Sequence, residues 1–379
     1  METLLNKEDV QTVLGEVRRF ARGVVSSNVE RPEHSLPRDS MDALVAEATE
    51  AGFIPDAGGD PTGLWVDLDD PLGLALSART IETLASVNPG IAWSCHVRAM
   101  PVWLARRLNR PEALDEKETV VTLQGCYGLG RTALPRYLAG AKLVADDRAM
   151  LKDWLMPAQK DARRVVHAPA GFDGVLSPYF DGEAVGWMRQ PIDALDPLPV
   201  GPTLGLDEVD AVALASSEAG TPLGLEDPEE ARNIFAEALV IESLALVAVG
   251  LGCLRHGRDL AREQAKARKQ GGRSIAHHPA VQSLVGSADS AVAVVDALLD
   301  RMADGPLRGS RVGDVFAIRA EAHPLLCRGA TDALQVFGGS GYMQDVGMEK
   351  VLRDSQQLRL MGGTPGDLAR FVAEWERVR

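Results

Sequence analysis

Aromatic side chains make up only 5% of this 379-residue chain. Stacked rings are a common grip on bases and sugars, so a platform of that kind is not expected. Cysteine is scarcer still: Cys95, Cys126, Cys253 and Cys327 lie far apart and form no Cys-x-x-Cys pair. That spacing argues against a zinc ribbon or a redox dithiol and suits a reducing, cytoplasmic setting. No apolar run is long enough for a comfortable membrane span; the longest, Ala238 to Leu254, carries Glu242 and Ser243. The start, Met1-Glu2-Thr3-Leu4-Leu5, has neither a basic nor an apolar segment, so no secretion signal is expected. Positive charge is in deficit: 40 Lys and Arg face 54 Asp and Glu, a formal net charge of −14. Phosphate backbones and anionic lipid repel such a chain, so neither nucleic acid nor a membrane surface is an expected partner. The dinucleotide, phosphate-loop and serine-hydrolase signatures are missing as well. His277-His278-Pro279 stands apart from any His-Glu-x-x-His pattern, and adjacent histidines on a helix point in different directions, so no metal site is read there.

What is present divides the chain into three zones. Residues 1–112 read mostly as helices, with Val10, Val13, Leu14, Val17 and Phe20 at helical spacing and Met41, Leu44, Val45 and Ala48 repeating it. Arg31 to Pro37 reads as a proline-broken loop. Residues 113–222 change texture: short β-like runs at 119–123, 164–167 and 211–214 are punctuated by Gly and Pro, which predicts a small antiparallel sandwich or barrel. Residues 223–379 return to helix. Asp227-Pro228-Glu229-Glu230 is a start signal, with an Asp cap, Pro at the first helical position and Glu230 placed to close a capping box. The pattern predicts one helix to about Gln270, then others over 279–303, 310–337 and 348–358. The fold class is therefore α+β: a helical domain, a β module and a C-terminal four-helix bundle.

Three features could carry chemistry. Glu242 lies in Ala238-Leu239-Val240-Ile241-Glu242-Ser243-Leu244-Ala245-Leu246, where nearly every helical neighbour is apolar. A carboxylate so placed is either a general base in a dry site or a structural group that faces a gap in the bundle or pairs with an arginine from another helix. Arg268-Lys269-Gln270-Gly271-Gly272 ends the same helix; its basic residues are ordinary dipole partners, or bind a ligand that is very long or shared with a neighbouring subunit if Glu242 binds it too. Gln335-Val336-Phe337-Gly338-Gly339-Ser340-Gly341-Tyr342 is a glycine-rich corner, either a helix stop or a place where backbone amides approach a phosphate. At about 1.5 Å per residue, a continuous helix puts Glu242 and Arg268 roughly 39 Å apart. They cannot grip the same reactive group.

Together these segments resemble the acyl-CoA dehydrogenase family. The run Gln335 to Tyr342 followed by Met348-Glu349-Lys350-Val351-Leu352-Arg353-Asp354 is similar to the family's C-terminal pattern, and Arg268 to Ile275 resembles its Arg-x-x-Phe-Gly segment. The resemblance implies FAD bound at a subunit interface and a glutamate that removes the α-proton of an acyl-CoA. It also implies a dimer of dimers, homo- or hetero-oligomeric, and an electron-transfer acceptor. It assigns Arg268 and Gln270, with Gln335, Val336, Phe337, Gly338 and Gly339, to the FAD of a neighbouring subunit, and Thr364 to cofactor contact. The family's usual base position is here Gly362, within Leu360-Met361-Gly362-Gly363-Thr364. Counting as in the isovaleryl-CoA type lands the base on Glu242 instead. Other departures are Ser243 for an arginine, Val240 for an aspartate, Gly271 for the phenylalanine, and Trp154-Leu155-Met156 for a flavin contact carrying a hydroxyl. The implied activity is α,β-desaturation of a branched or bulky acyl thioester. The alternatives are a non-catalytic subunit that donates FAD contacts to a related chain, and an enzyme acting on a carrier-protein thioester.

Overall fold

The computed structural model describes residues 5–29, 35–56, 62–110, 113–114, 119–123, 133–156, 158–159, 164–168, 171–216, 220–224 and 227–379. Cys126 and part of the expected 31–37 loop lie outside them. The helical zone at the start contains α1 (Lys7–Phe20), α2 (Arg38–Glu50), α3 (Gly73–Ala85) and α4 (Pro89–Arg107). Asn6 caps α1 by accepting from the backbone of Glu8 and Asp9, and Asn88 caps α4 by accepting from Ile91.

Among its described residues the middle zone holds two short α-helices that its β-like texture concealed, α5 (Ala133–Leu138) and α6 (Ala145–Trp154). Its strands are β1 (Thr119–Val121), β2 (Arg164–Ala168), β3 (Gly174–Phe180), β4 (Val185–Pro191), β5 (Leu195–Pro199), β6 (Asp210–Ser216) and β7 (Thr221–Leu223). They form a sheet in the order β1-β3-β4-β7 and another in the order β2-β6-β5. Neighbours pair antiparallel except β1 and β3, which run parallel with Thr119 opposite Gly174. A parallel pair needs a long connection, and here α5, α6 and β2 supply it.

The bundle is built from α7 (Pro228–Ala267), α8 (Pro279–Met302), α9 (Val312–Phe337) and α10 (Met348–Leu360), with α11 (Pro365–Val378) packed on α9. Asp227 caps α7 and Pro228 opens it as expected. Glu230 closes no capping box; it pairs with Arg107 of α4, because an ion pair to a neighbouring helix is within reach of its side chain. The helix ends at Ala267 rather than Gln270. Arg268 turns to extended backbone, and Gly271 and Gly272, both at positive φ, make the two-residue turn of the hairpin β8 (Lys269–Gln270) and β9 (Arg273–Ser274). By length and composition, α7 and α8 could each cross a membrane, but nearly all of the apolar run of α7 is buried inside the protein.

The core joins all three zones, from Val17 and Phe20 to Phe371 and Trp375. One glycine sets how closely two of them meet. A Cβ at Gly252 of α7 would sit 2.3 Å from the Glu82 carbonyl and 2.7 Å from Ala85, so α3 can lie against α7 only because position 252 has no side chain.

Candidate active site

On α4, Trp93, His96, Val97 and Met100 recur at three- and four-residue steps and so line one face of the helix. That face looks onto Val121, Thr122 and Leu123 at the end of β1 and onto Val165, Val166 and His167 of β2. Glu242 of α7 and the Met361-Gly362 corner after α10 complete the walls. The cleft is narrow, with a cavity volume of about 40 Å³, and it opens to solvent where the three zones meet. Its polar groups are few: Glu242, His96, His167 and Thr122. No lysine or arginine lines it among the described residues.

Glu242 opens onto this cleft with its side chain 17% exposed, so it is not sealed among the apolar residues that flank it in sequence. The reason is local. Leu239, Ile241, Leu244, Leu246 and Ser243 are fully buried, while the Glu242 face of α7 turns toward the gap left by α4 and β2. The arginine partner considered from sequence is replaced by a histidine: His96 Nε2 lies 2.9 Å from Glu242 Oε2. On its other nitrogen, His96 Nδ1 is 3.1 Å from the indole N–H of Trp65. His96 also packs against two rings, 4.8 Å from Trp93 and 5.8 Å, edge on, from Trp65. Trp65 is fully buried at φ 62°, a left-handed conformation rare for a bulky residue and costing about 1–3 kcal/mol. The Ser77 hydroxyl holds it there by accepting its backbone N–H at 3.1 Å. Burial pushes the His167 imidazole below its ordinary pKa, with the Glu242 charge opposing, so His167 faces the cleft neutral at pH 7.

The floor at Gly362 is fixed from behind. Arg319 of α9, fully buried, donates to the carbonyls of Gly362 at 2.7 Å and Gly363 at 3.3 Å, and to that of Met361. It also reaches Ser243 Oγ at 3.5 Å, so the position after Glu242 faces this guanidinium in the core and not the cleft. Gly362 has φ 60°, and a Cβ there would lie 3.0 Å from both Arg319 and Leu246. A side chain at 362 would therefore be strained by the left-handed backbone and pressed at its Cβ by Arg319 and Leu246. Arg319→Met removes the donor from three carbonyls and a hydroxyl. With each orphaned buried acceptor costing about 1–3 kcal/mol, urea titration should show at least about 2 kcal/mol less stability.

The other sequence-selected residues gather elsewhere. Arg268, at the far end of α7, donates to the Phe337 carbonyl at 3.1 Å, which joins it to the glycine corner. Gly338 takes φ 63°, and a Cβ at Gly339 would meet only open space. The Val336 and Phe337 side chains are core, so only their backbones face this corner. Gln335 is exposed and donates to the Tyr342 hydroxyl, and Gln270 is exposed on the β8–β9 hairpin. Thr364 caps α11: its hydroxyl donates to Asp367 and accepts the Asp367 N–H. The structure thus separates two groups of residues, Glu242 with Gly362 and Arg268 with Phe337 to Gly339, at different points along α7. Sequence reading did not select His96, Trp65, His167 or Arg319. The helical stripe at 93, 96, 97 and 100 was the available signal, but a lone histidine on an apolar face does not announce its partner.

Residues 232–376 match the family described as acyl-CoA dehydrogenase, C-terminal domain. Over 123 residues the chain is 36% identical to the cyclohex-1-ene-1-carbonyl-CoA dehydrogenase of Geobacter metallireducens, covering 31% of each chain. The aligned stretch therefore spans about a third of that relative's length. The fold agrees over the whole chain with butyryl-CoA dehydrogenase from Megasphaera elsdenii, with a TM-score of 0.70, 13% identity and 100% of each chain covered. It agrees equally with PigA, solved with FAD and proline, with a TM-score of 0.70, 16% identity and 100% of each chain covered.

Proposed function

This chain belongs to the acyl-CoA dehydrogenase family through its C-terminal domain, and on that premise we propose that it is an FAD-dependent oxidoreductase that desaturates an acyl thioester, with Glu242 as the base. The observation that carries this reading is the meeting of Glu242 and Gly362 in one cleft. A site whose usual base position carries no side chain has a carboxylate facing it from the neighbouring helix. The cleft walls offer Val97, Met100, Val165 and Val166 as apolar contacts for an acyl chain, which we take to be branched or bulky, and a carboxylate to receive a proton.

The chain's residues fit the nucleotide end of FAD at the second cluster. An exposed guanidinium and a left-handed glycine corner with open space beside it are what an anionic pyrophosphate needs. Arg268, Gln270, Gln335 and the backbone of Val336 to Gly339 would hold it, and Thr364 would meet the cofactor nearer the cleft. When bound, FAD supplies the acceptor for the electrons that leave the substrate. Because the two clusters lie roughly 39 Å apart along α7, each serves a different cofactor, and the working protein is an oligomer. The cleft lining holds no lysine or arginine among the described residues, so a carrier-protein thioester is tested beside a CoA thioester. We place the reaction in the cytoplasm, with electrons passing to a separate acceptor protein. The buried thiols agree with an inert role, since burial pushes Cys95 up to about 12 and Cys327 up to about 11.

A second reading is favoured by the completeness of the Arg268–Phe337 corner, which does not depend on the Glu242 cleft. In it the chain is a non-catalytic subunit serving a related chain's FAD. The visible spectrum of the chain expressed alone divides the two. About one flavin per chain, bleached by an acyl thioester, is the expected result. A colourless chain that gains flavin only with a co-encoded relative establishes the second reading, and flavin that no acyl thioester bleaches overturns the first.

A further inference from the structure

Behind Glu242 runs a chain of hydrogen bonds whose direction is fixed by chemistry. An indole N–H can only donate, so His96 Nδ1, 3.1 Å from Trp65 Nε1, must accept. A ring nitrogen that accepts carries no proton. His96 is therefore neutral, its proton is on Nε2, and Nε2–H donates to Glu242 Oε2 at 2.9 Å. Trp65 is in turn held by Ser77, and Ser77, Trp65 and His96 are all buried, His96 at 1% exposure. Of these groups the carboxylate is the one most open to the cleft, its side chain 17% exposed against 2% for that of His96.

We infer that Trp65 and His96 are positioning residues for Glu242: they tie down Oε2 and leave Oε1 as the oxygen that takes the substrate's proton. This inference rests on Glu242 being the base. In the step it describes, the C–H bond at the thioester's α-carbon breaks and an O–H bond forms at Oε1. The electron pair stays on the substrate as its enolate. His96 does not take that proton onward. Nε2 already bears one, and Nδ1 is occupied by the indole N–H. The arrangement is an orienting chain and not a relay, so the proton remains on Glu242 until it leaves through the cleft.

Two measurements test it. The first needs neither cofactor nor turnover. In protein labelled with ¹⁵N-histidine, two-bond ¹H–¹⁵N spectra at pH 7 should show His96 as the Nε2–H tautomer, identified by the signals missing from His96→Gln. In Trp65→Phe that tautomer should lose its dominance. An Nδ1–H tautomer or an imidazolium in the wild type overturns the inference, whatever the role of Glu242. The second is kinetic. Glutamine can accept from Trp65 and donate to Glu242, so His96→Gln should keep kcat within about threefold of wild type. His96→Leu should lower kcat by about 10²-fold, the scale of a misplaced reacting group, with KM little changed and the fold intact by circular dichroism. If His96→Leu turns over as the wild type does while Glu242→Gln is dead, the positioning role is wrong and the base assignment stands. If Glu242→Gln is active, the base assignment itself has failed, and with it this inference.

Discussion

On the proposed function, Glu242→Gln should lower turnover of the acyl thioester by about 10²–10⁴-fold, the usual contribution of a positioned general base. Bound flavin and melting temperature stay as in the wild type. The glutamine has nearly the same shape, and its carbonyl oxygen can still accept from His96 Nε2, so the chain of bonds behind it survives. What is lost is the capacity to hold a proton on the oxygen facing the cleft. Steady-state turnover and the flavin spectrum of the purified variant, read side by side, check both halves. Turnover within tenfold of wild type would remove Glu242 from the reaction. The companion variant is Glu242→Gln combined with Gly362→Glu, which puts a carboxylate at the family's usual position. It should not regain activity. Gly362 sits at φ 60°, and its Cβ would press on Arg319 and Leu246 at 3.0 Å, so the new side chain cannot enter without moving the floor.

Lys350→Met should cost about 3–5 kcal/mol at pH 7, because it strands buried acids. The Lys350 ammonium lies 3.1 Å from both Glu208 Oε2 and Asp354 Oδ2, and both carboxylates are 1% exposed. Glu208 also accepts from Asn88 at the start of α4, and Asp354 accepts the Leu206 N–H. One ammonium therefore ties α10 to a loop of the β module and to the N-terminal helices. Desolvation alone would lower the pKa of Lys350, but Asp354, Glu208 and Asp207 together hold it above the usual lysine range. Burial pushes Asp354 up to about 6, with Lys350 opposing and Glu208 adding. Both partners move up because the lysine faces several acids, while each acid has one lysine and another acid beside it. The sign follows. A carboxyl whose folded pKa is raised binds more protons folded than unfolded, so its contribution to stability is present at low pH and fades as pH rises toward 6. Without Lys350 that effect grows. The deficit in urea denaturation should shrink from pH 7 to pH 5, and a deficit that is the same at both would show that Asp354 is not the stranded group.

The elements with strong local signals were legible in the sequence. Asp227-Pro228 opened α7, and helical spacing marked Leu14, Val17 and Phe20 as core. Glu242 stood out because a carboxylate in an apolar helix must have a reason to be there. Its partner was not legible. His96 is far away in sequence, and only the packing of α4 on α7 brings the two together. Nor was the floor: Arg319 is one of many arginines until its carbonyl partners are seen. The parallel β1–β3 pair was missed for a related reason, since periodicity reports a strand's faces and not its neighbour. Helices α5 and α6 are short and mostly polar or proline-bearing, too brief for a period to show.

The clamp of Arg319 on residues 361–363 has a bearing on how such a protein could change its diet. One side of the cleft is main chain bolted to a sealed cation, so trimming or enlarging residues there would loosen the core before it altered selectivity. The opposite side is made of ordinary side chains: Val97 and Met100 on α4, and Val165 and Val166 on β2. Libraries aimed at new acyl groups, and natural drift between relatives, should find their tolerated changes on that side.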